Sequence, residues 1–209
     1  QIKKIVVLGK PKYTTDKEVV TAIKQVDLSS YFQLDVKAVQ HSVQALPRVA
    51  TVSVRKQWPD ELQVYIVEHK PVAIWNSDLL LNAKGQVFQA DNEALQAYLP
   101  QLYGPEGSEL EAWQAFLQFK DMLAVNDFNL VSLALSERFA WQLWLEDGVR
   151  LNLGREEKAK RVQRFIDVYP SMQIPEGGVL DTVDLRYDTG LAVSWKFPAQ
   201  TEQQNKSEA

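Results

Sequence analysis

The sequence predicts an α+β fold in two parts, and three observations predict it. Residues 1–70 read in the order strand, helix, helix, strand, strand. Residues 71–198 read as a series of short alternating strands with about two helices among them. Between the parts runs Trp58-Pro59-Asp60-Glu61-Leu62-Gln63-Val64-Tyr65-Ile66-Val67-Glu68-His69-Lys70-Pro71-Val72-Ala73. This block is a turn, then an alternating strand, then a stop. Leu62, Val64 and Ile66 share one strand face; Gln63, Tyr65 and Val67 share the other. Pro59 suits a turn and Pro71 cannot donate to a sheet ladder, so the strand is bounded at both ends.

Residues 2–8 are β-branched and apolar, a strand closed by Gly9 and Pro11. Thr15-Asp16-Lys17-Glu18 has the spacing of a capping box, in which hydroxyl and carboxylate each satisfy a free amide. Val19, Val20 and Ile23 follow at helical spacing. A second helix begins near Asp35, with Val36, Val39, Val43 and Leu46 as its stripe and Pro47 at its end. Ala50, Val52 and Val54 alternate with polar residues as a strand that meets the 58–73 block. A hairpin with two helices on one face would bury every apolar stripe.

In the second part, residues 73–75, 79–81 and 87–88 read as short strands, with a Lys84-Gly85 turn before the last. Residues 99–107 read as a loop on their Gly and Pro content. Ser108 and Glu111 have capping-box spacing, and the helix behind them carries Leu110, Trp113, Leu117, Met122 and Leu123. Val131, Leu133 and Leu135 alternate as a strand. Trp141, Leu143 and Leu145 alternate up to Asp147-Gly148, and Val149, Leu151 and Leu153 alternate back, a tight hairpin. Residues 156–169 predict a helix with Ala159, Val162, Ile166 and Tyr169 in one stripe, stopped by Pro170. Residues 183–187 and 191–195, joined by Asp188-Thr189-Gly190, predict a closing hairpin. The expected whole is a large, mostly antiparallel sheet with about two helices on one face. The polar tail, 199–209, predicts disorder.

The chain has 209 residues, 45% of them hydrophobic, enough for one or two real cores. A net charge of -4 argues against nucleic acid as the main partner. Without cysteine there is neither a disulfide nor a thiolate metal site. No apolar run approaches the roughly 20 residues of a membrane span. A start at Gln1 suggests a fragment of a longer protein.

The search for chemistry yields little. His41 and His69 stand alone, without metal-ligand spacing, and read as structural or surface residues. Gly104-Pro105-Glu106-Gly107 lacks the Lys-Ser/Thr of a phosphate loop. Asp60-Glu61 and Glu156-Glu157 are sequence neighbours, which diverge on a strand or helix and make no acid/base pair. The basic run Arg155, Lys158, Lys160, Arg161 and Arg164 reads as a solvated helix face beside Glu156 and Glu157. Of the six tryptophans, Trp113 and Trp141 fall on stripes that face a core, which argues against a carbohydrate platform. What remains is an interaction signal. A terminal strand is well placed to be a sheet edge with unpaired main-chain groups. This one holds Trp195, with Tyr187 across the turn, the ingredients of β-strand addition. The pattern equally allows both rings to be core.

Four motifs in this order resemble the FtsQ/DivIB family of bacterial cell-division proteins. They are the 58–73 block, Lys84-Gly85-Gln86-Val87-Phe88, Leu99-Pro100 with Gly104-Pro105-Glu106-Gly107, and the run from Val183 to Trp195 that reads VDLRYDTGLAVSW. The resemblance spans about residues 2–195, and the closing motif is more similar to the Gram-negative FtsQ branch than to DivIB. It implies a POTRA domain over 1–70 and a β domain over 71–198. It also implies a single-pass inner-membrane protein with this part in the periplasm, at the division septum, and no cofactor, metal or catalysis. The implied role is a divisome scaffold that links early and late division proteins. FtsB and FtsL would bind the β domain, and FtsK would neighbour the POTRA domain. The last strand would pair with a strand of FtsB, with contacts at Tyr187, Thr189, Gly190 and Trp195 and an ionic contact at Arg186. Many members have serine where Thr189 stands, and the hydroxyl is kept. Arg138 matches a looser motif and would supply a second salt bridge. Two rival readings are a POTRA-type chaperone or transport module and a cell-wall hydrolase or glycan-binding domain.

Overall fold

A computed structural model describes residues 1–198. The tail expected to be disordered, 199–209, lies outside the described residues. The chain divides into two compact units, one of Gln1–Pro71 with Phe88–Asp91, the other of Val72–Val87 with the residues from Asn92 onward.

The first unit is a three-stranded sheet with two helices. Strand β1 (Lys4–Leu8) pairs in parallel with β3 (Glu61–Glu68), and β3 pairs antiparallel with β2 (Val49–Gln57), giving the order β1-β3-β2. Helix α1 (Asp16–Ile23) starts at the predicted capping box. The Thr15 amide donates to Glu18 at 2.7 Å and the Glu18 amide donates to the Thr15 hydroxyl at 3.2 Å. Helix α2 (Val36–Gln44) is capped by Asp35, whose carboxylate accepts from the Lys37 and Ala38 amides. Leu62, Val64 and Ile66 are buried with Val19, Ile23, Val39 and Val43 in one core. Each of these side chains is worth about 1.5–3 kcal/mol in removal from water. Tyr65 and Val67, on the opposite face of β3, are exposed, so the period-2 reading of this strand holds residue by residue.

The second unit is built on a nine-stranded mixed sheet. Its strands are β4 (Pro71–Trp75), β5 (Leu79–Asn82), β6 (Val87–Phe88), β7 (Gln101–Tyr103), β8 (Leu130–Leu135), β9 (Trp141–Leu145), β10 (Arg150–Gly154), β11 (Val179–Asp184) and β12 (Ala192–Lys196). Their order is β12-β11-β10-β9-β8-β7-β4-β5-β6. The hairpins β8/β9, β9/β10 and β11/β12 are antiparallel. The pairs β4/β7, β7/β8 and β10/β11 are parallel. Parallel neighbours need crossovers. Helix α3 (Glu109–Ala124) lies in the β7–β8 crossover and α4 (Lys158–Val168) in the β10–β11 crossover. Ala112, Phe116, Phe119, Val162 and Phe165 of these helices share a core with Leu133, Leu143, Leu151 and Val183 of the sheet.

Several sequence expectations need correction. The 99–107 loop contains β7, whose Leu102 is fully buried. Three residues between Pro100 and Gly104 are too few to show alternation. Ser108 makes no capping box. Its hydroxyl donates to the Pro105 carbonyl at 2.5 Å, and Glu109 instead accepts from the Gly107 amide. The buried stripe of α3 is Ala112, Ala115, Phe116, Phe119 and Leu123, while Leu110 and Leu117 are 44% and 40% exposed. Small Ala112 and Ala115 beside Phe116 and Phe119 let the helix lie close on the sheet, so Leu110 and Leu117 did not mark its inner face. Helix α4 begins at Lys158 behind Glu157, which has a left-handed φ of 48°. Arg161, read as solvated, is buried, and Tyr169 lies at the rim. Finally, the strand expected over 183–187 is β11 at Val179–Asp184, so the connection to β12 runs from 185 to 191.

Candidate functional site

Strand β12 alternates as its sequence dictates. Val193 and Trp195 are half-buried, and Ala192, Ser194 and Lys196 are exposed. It is the last strand of the nine and pairs with β11 alone among the described residues. Val193 faces Val183, Ser194 faces Thr182 and Trp195 faces Leu180, with a bulge in β11 between Leu180 and Thr182. Lys196 meets Asp181 at 2.7 Å. Among the described residues no side chain bonds to the main chain of β12, so its outer edge carries unpaired donors and acceptors.

The connection before β12 leaves the ladder for a local reason. The Asp184 carboxylate accepts from the Arg186 amide at 3.1 Å and from its guanidinium at 2.9 and 2.7 Å. This closes a turn over Leu185. Leu185 is buried and donates its amide to the Asn152 carbonyl of β10 at 2.9 Å. The hydrogen bonds from Arg186 lower the pKa of Asp184, against a smaller opposing effect of burial. Tyr187 is therefore outside the ladder and 50% exposed, with Asp188, Thr189 and Gly190 also exposed. Gly190 has a φ of +77°, and a Cβ there would meet nothing within 4 Å. The glycine is needed for backbone conformation, not for space within its own chain.

Helix α4 supports this connection from beneath. Arg164 Nη1 donates to the carbonyls of Tyr187 at 2.8 Å and Gly190 at 3.0 Å, and Nη2 donates to that of Asp188 at 2.7 Å. One turn earlier, Arg161 Nη1 donates to the Leu153 carbonyl at 2.5 Å. Its charge also helps to hold Asp184 ionised.

Arg186, Tyr187, Thr189 and Gly190 thus lie together in the 185–191 connection. Trp195 lies at the other end of β12, three residues or about 10 Å beyond Ala192. It pairs with Leu180 in the ladder, whereas a hairpin of 183–187 with 191–195 would set it opposite Val183. Arg138 is exposed in the turn between β8 and β9. It shares the sheet end with the connection, but three strand spacings, roughly 15 Å, separate it from β12. Arg164 and Asp184 were missed from sequence. Arg164 was one of five basic residues in a run, and nothing local marks which of them turns toward a segment 23 residues later.

His41 is exposed on α2. His69 stacks on Phe88, with centroids 4.6 Å apart and planes at 11°, and burial lowers its pKa. Among the described residues no group of three or more His, Cys, Asp or Glu is placed to hold a metal, and no helix is long and apolar enough to cross a membrane.

Comparison with known proteins bears on both units. Residues 1–69 match the family described as "POTRA domain, FtsQ-type", and residues 73–186 match "Cell division protein FtsQ/DivIB, C-terminal". The second match stops just before Tyr187. Curated relatives extend further. The chain is 42% identical over 194 residues to "Cell division protein FtsQ" of Shewanella oneidensis, covering 93% of this chain and 74% of that protein. It is 39% identical over 217 residues to the Escherichia coli K12 protein of the same name, covering all of this chain and 79% of the relative. The Vibrio cholerae protein of that name is 35% identical over 208 residues, covering 99% of the chain and 79% of the relative.

Proposed function

The chain belongs to the FtsQ/DivIB family of cell division proteins, and from that premise we propose that it is a non-enzymatic scaffold whose β12 edge receives a strand from a partner. The observation that carries this reading is the edge of β12, which pairs with β11 alone among the described residues, with Tyr187 exposed in the connection before it and Trp195 half-buried near its end. An added strand gains affinity from main-chain hydrogen bonds, and aromatic anchors select its side chains. The partner is FtsB, with FtsL bound to the same domain. Arg186 faces its own Asp184 in the free chain, so an acidic partner group would share a guanidinium that is already oriented. Arg138 would meet a more distant part of the same partner. Residues 1–70 act separately as the targeting domain, with FtsK among their neighbours, and 71–198 act as the docking domain. A membrane segment outside this sequence tethers the protein to the inner membrane at the septum, on the periplasmic side.

Titration of the 209-residue chain with a peptide from the periplasmic segment of FtsB tests the reading. Trp195→Ala or Tyr187→Ala is expected to weaken binding by about 2 kcal/mol or more, a hot-spot magnitude. Because neither ring is fully buried, the thermal midpoint should change little. Equal affinity for the wild type and both variants would reject the proposed site.

A further inference from the structure

The guanidinium of Arg164 gathers the carbonyls of Tyr187, Asp188 and Gly190 at 2.7–3.0 Å. These acceptors belong to the connection that carries Tyr187, Thr189 and Gly190 into β12. Arg164 itself is half-buried on α4, on the same side as the buried Arg161 and one turn further along. The fork of fixed N–H donors on a guanidinium spreads over two nitrogens here, whereas the three donors of a lysine ammonium all leave one nitrogen. Arg186 pins the start of the connection to Asp184, and beyond it the carbonyls of Tyr187, Asp188 and Gly190 are what Arg164 holds. We propose that Arg164 is a positioning residue for partner docking. It fixes the main chain of 187–190 while the protein is free, so the entry to the β12 edge is ordered before a strand arrives. Ordering that would otherwise be lost on association is then already complete on folding. This inference rests on the reading of β12 as the docking edge.

The test uses Arg164→Gln and Arg164→Lys in the 209-residue chain. Three measurements are made on each: amide hydrogen exchange of residues 187–192, the thermal midpoint, and titration with the FtsB peptide. Arg164→Gln should raise exchange at Gly190, Leu191 and Ala192 and weaken peptide binding roughly tenfold. The midpoint should stay within a few degrees. Arg164→Lys should not restore binding, because the three donors of an ammonium all leave one nitrogen and cannot reproduce the spacing of Nη1 and Nη2. In the wild type, the Arg164 Nη protons should exchange slowly by NMR, a readout independent of whether any variant folds. Fast-exchanging Nη protons, or a variant that binds as tightly as the wild type, would overturn the positioning role. A wild-type chain that fails to bind the peptide would instead overturn the docking reading, and the exchange measurements would still decide whether Arg164 orders the connection.

Discussion

Glu68 shows how a single side chain can serve two elements. It ends β3, and its carboxylate accepts from the Lys12 amide, from the Tyr13 amide at 3.1 Å, and from the amide and hydroxyl of Thr14 at 2.8 and 2.9 Å. It thereby fastens the segment that leads into α1. Burial opposes the charge of Glu68, yet these hydrogen bonds together hold its pKa below the ordinary 4.5. A carboxyl lowered in the folded state stabilises fully above its unfolded value and loses that contribution as pH falls through the folded value. Glu68→Gln is expected to cost about 1.5–3 kcal/mol at neutral pH, the range for hydrogen bonds to a charged group. The difference from wild type should shrink below pH 4.5, as read by urea unfolding at several pH values. A difference independent of pH would mean that the charge contributes nothing. From sequence, Glu68 was legible only as the residue before a strand stop. Its acceptor role depends on amides more than fifty positions earlier. Trp195 was legible as an aromatic in a terminal strand, but its half-burial depends on Leu180, which the bulge in β11 sets opposite it.

At the scale of elements, two of the four strands that end the sheets are treated differently. β12 has no side chain bonded to its main chain among the described residues. β2 also ends its sheet, but α2 covers it with glutamines one turn apart. Gln40 Nε2 donates to the Val52 carbonyl at 3.0 Å, and Gln44 Nε2 donates to the Val49 and Ala50 carbonyls at 3.1 and 2.8 Å. These amides occupy acceptors that a second strand could otherwise use. Gln40→Ala with Gln44→Ala should lower stability by only about 1 kcal/mol, since each net hydrogen bond is small and alanine favours helix. The same change should promote concentration-dependent self-association in sedimentation velocity. A double variant no more associated than wild type would show that the glutamines do not guard this edge. The contrast also explains which element boundaries could be read. The α1 capping box is a local exchange of hydrogen bonds and was legible. At Ser108 the same spacing failed, because a nearer acceptor, the Pro105 carbonyl, captured the hydroxyl.

For the molecule as a whole, each unit has its own core: one of Val19, Ile23, Val39, Val43 and the β3 apolar face, the other spanning α3, α4 and the nine-stranded sheet. A fragment of residues 1–70 is therefore expected to fold and unfold cooperatively by circular dichroism. Because His69 would lose its stack on Phe88, the fragment should melt below the corresponding transition of the longer chain. A fragment without a cooperative transition would mean that the first seventy residues need Phe88–Asp91 or the second unit to fold. By itself the sequence determined the α+β class, the strand and helix order of the first seventy residues, the β9–β10 hairpin and the family. The family is legible only in the resemblance of the four motifs; the rest is written in periodicity, caps and turn residues, interactions between near neighbours. Only the tertiary structure decided that the sheet is mixed and that three residues form β7 between longer strands. It also decided which face of α3 is buried, and that Arg164 reaches the connection before β12. These outcomes depend on which distant segments compete for the same hydrogen bonds and the same apolar area, and no local pattern records the result of that competition.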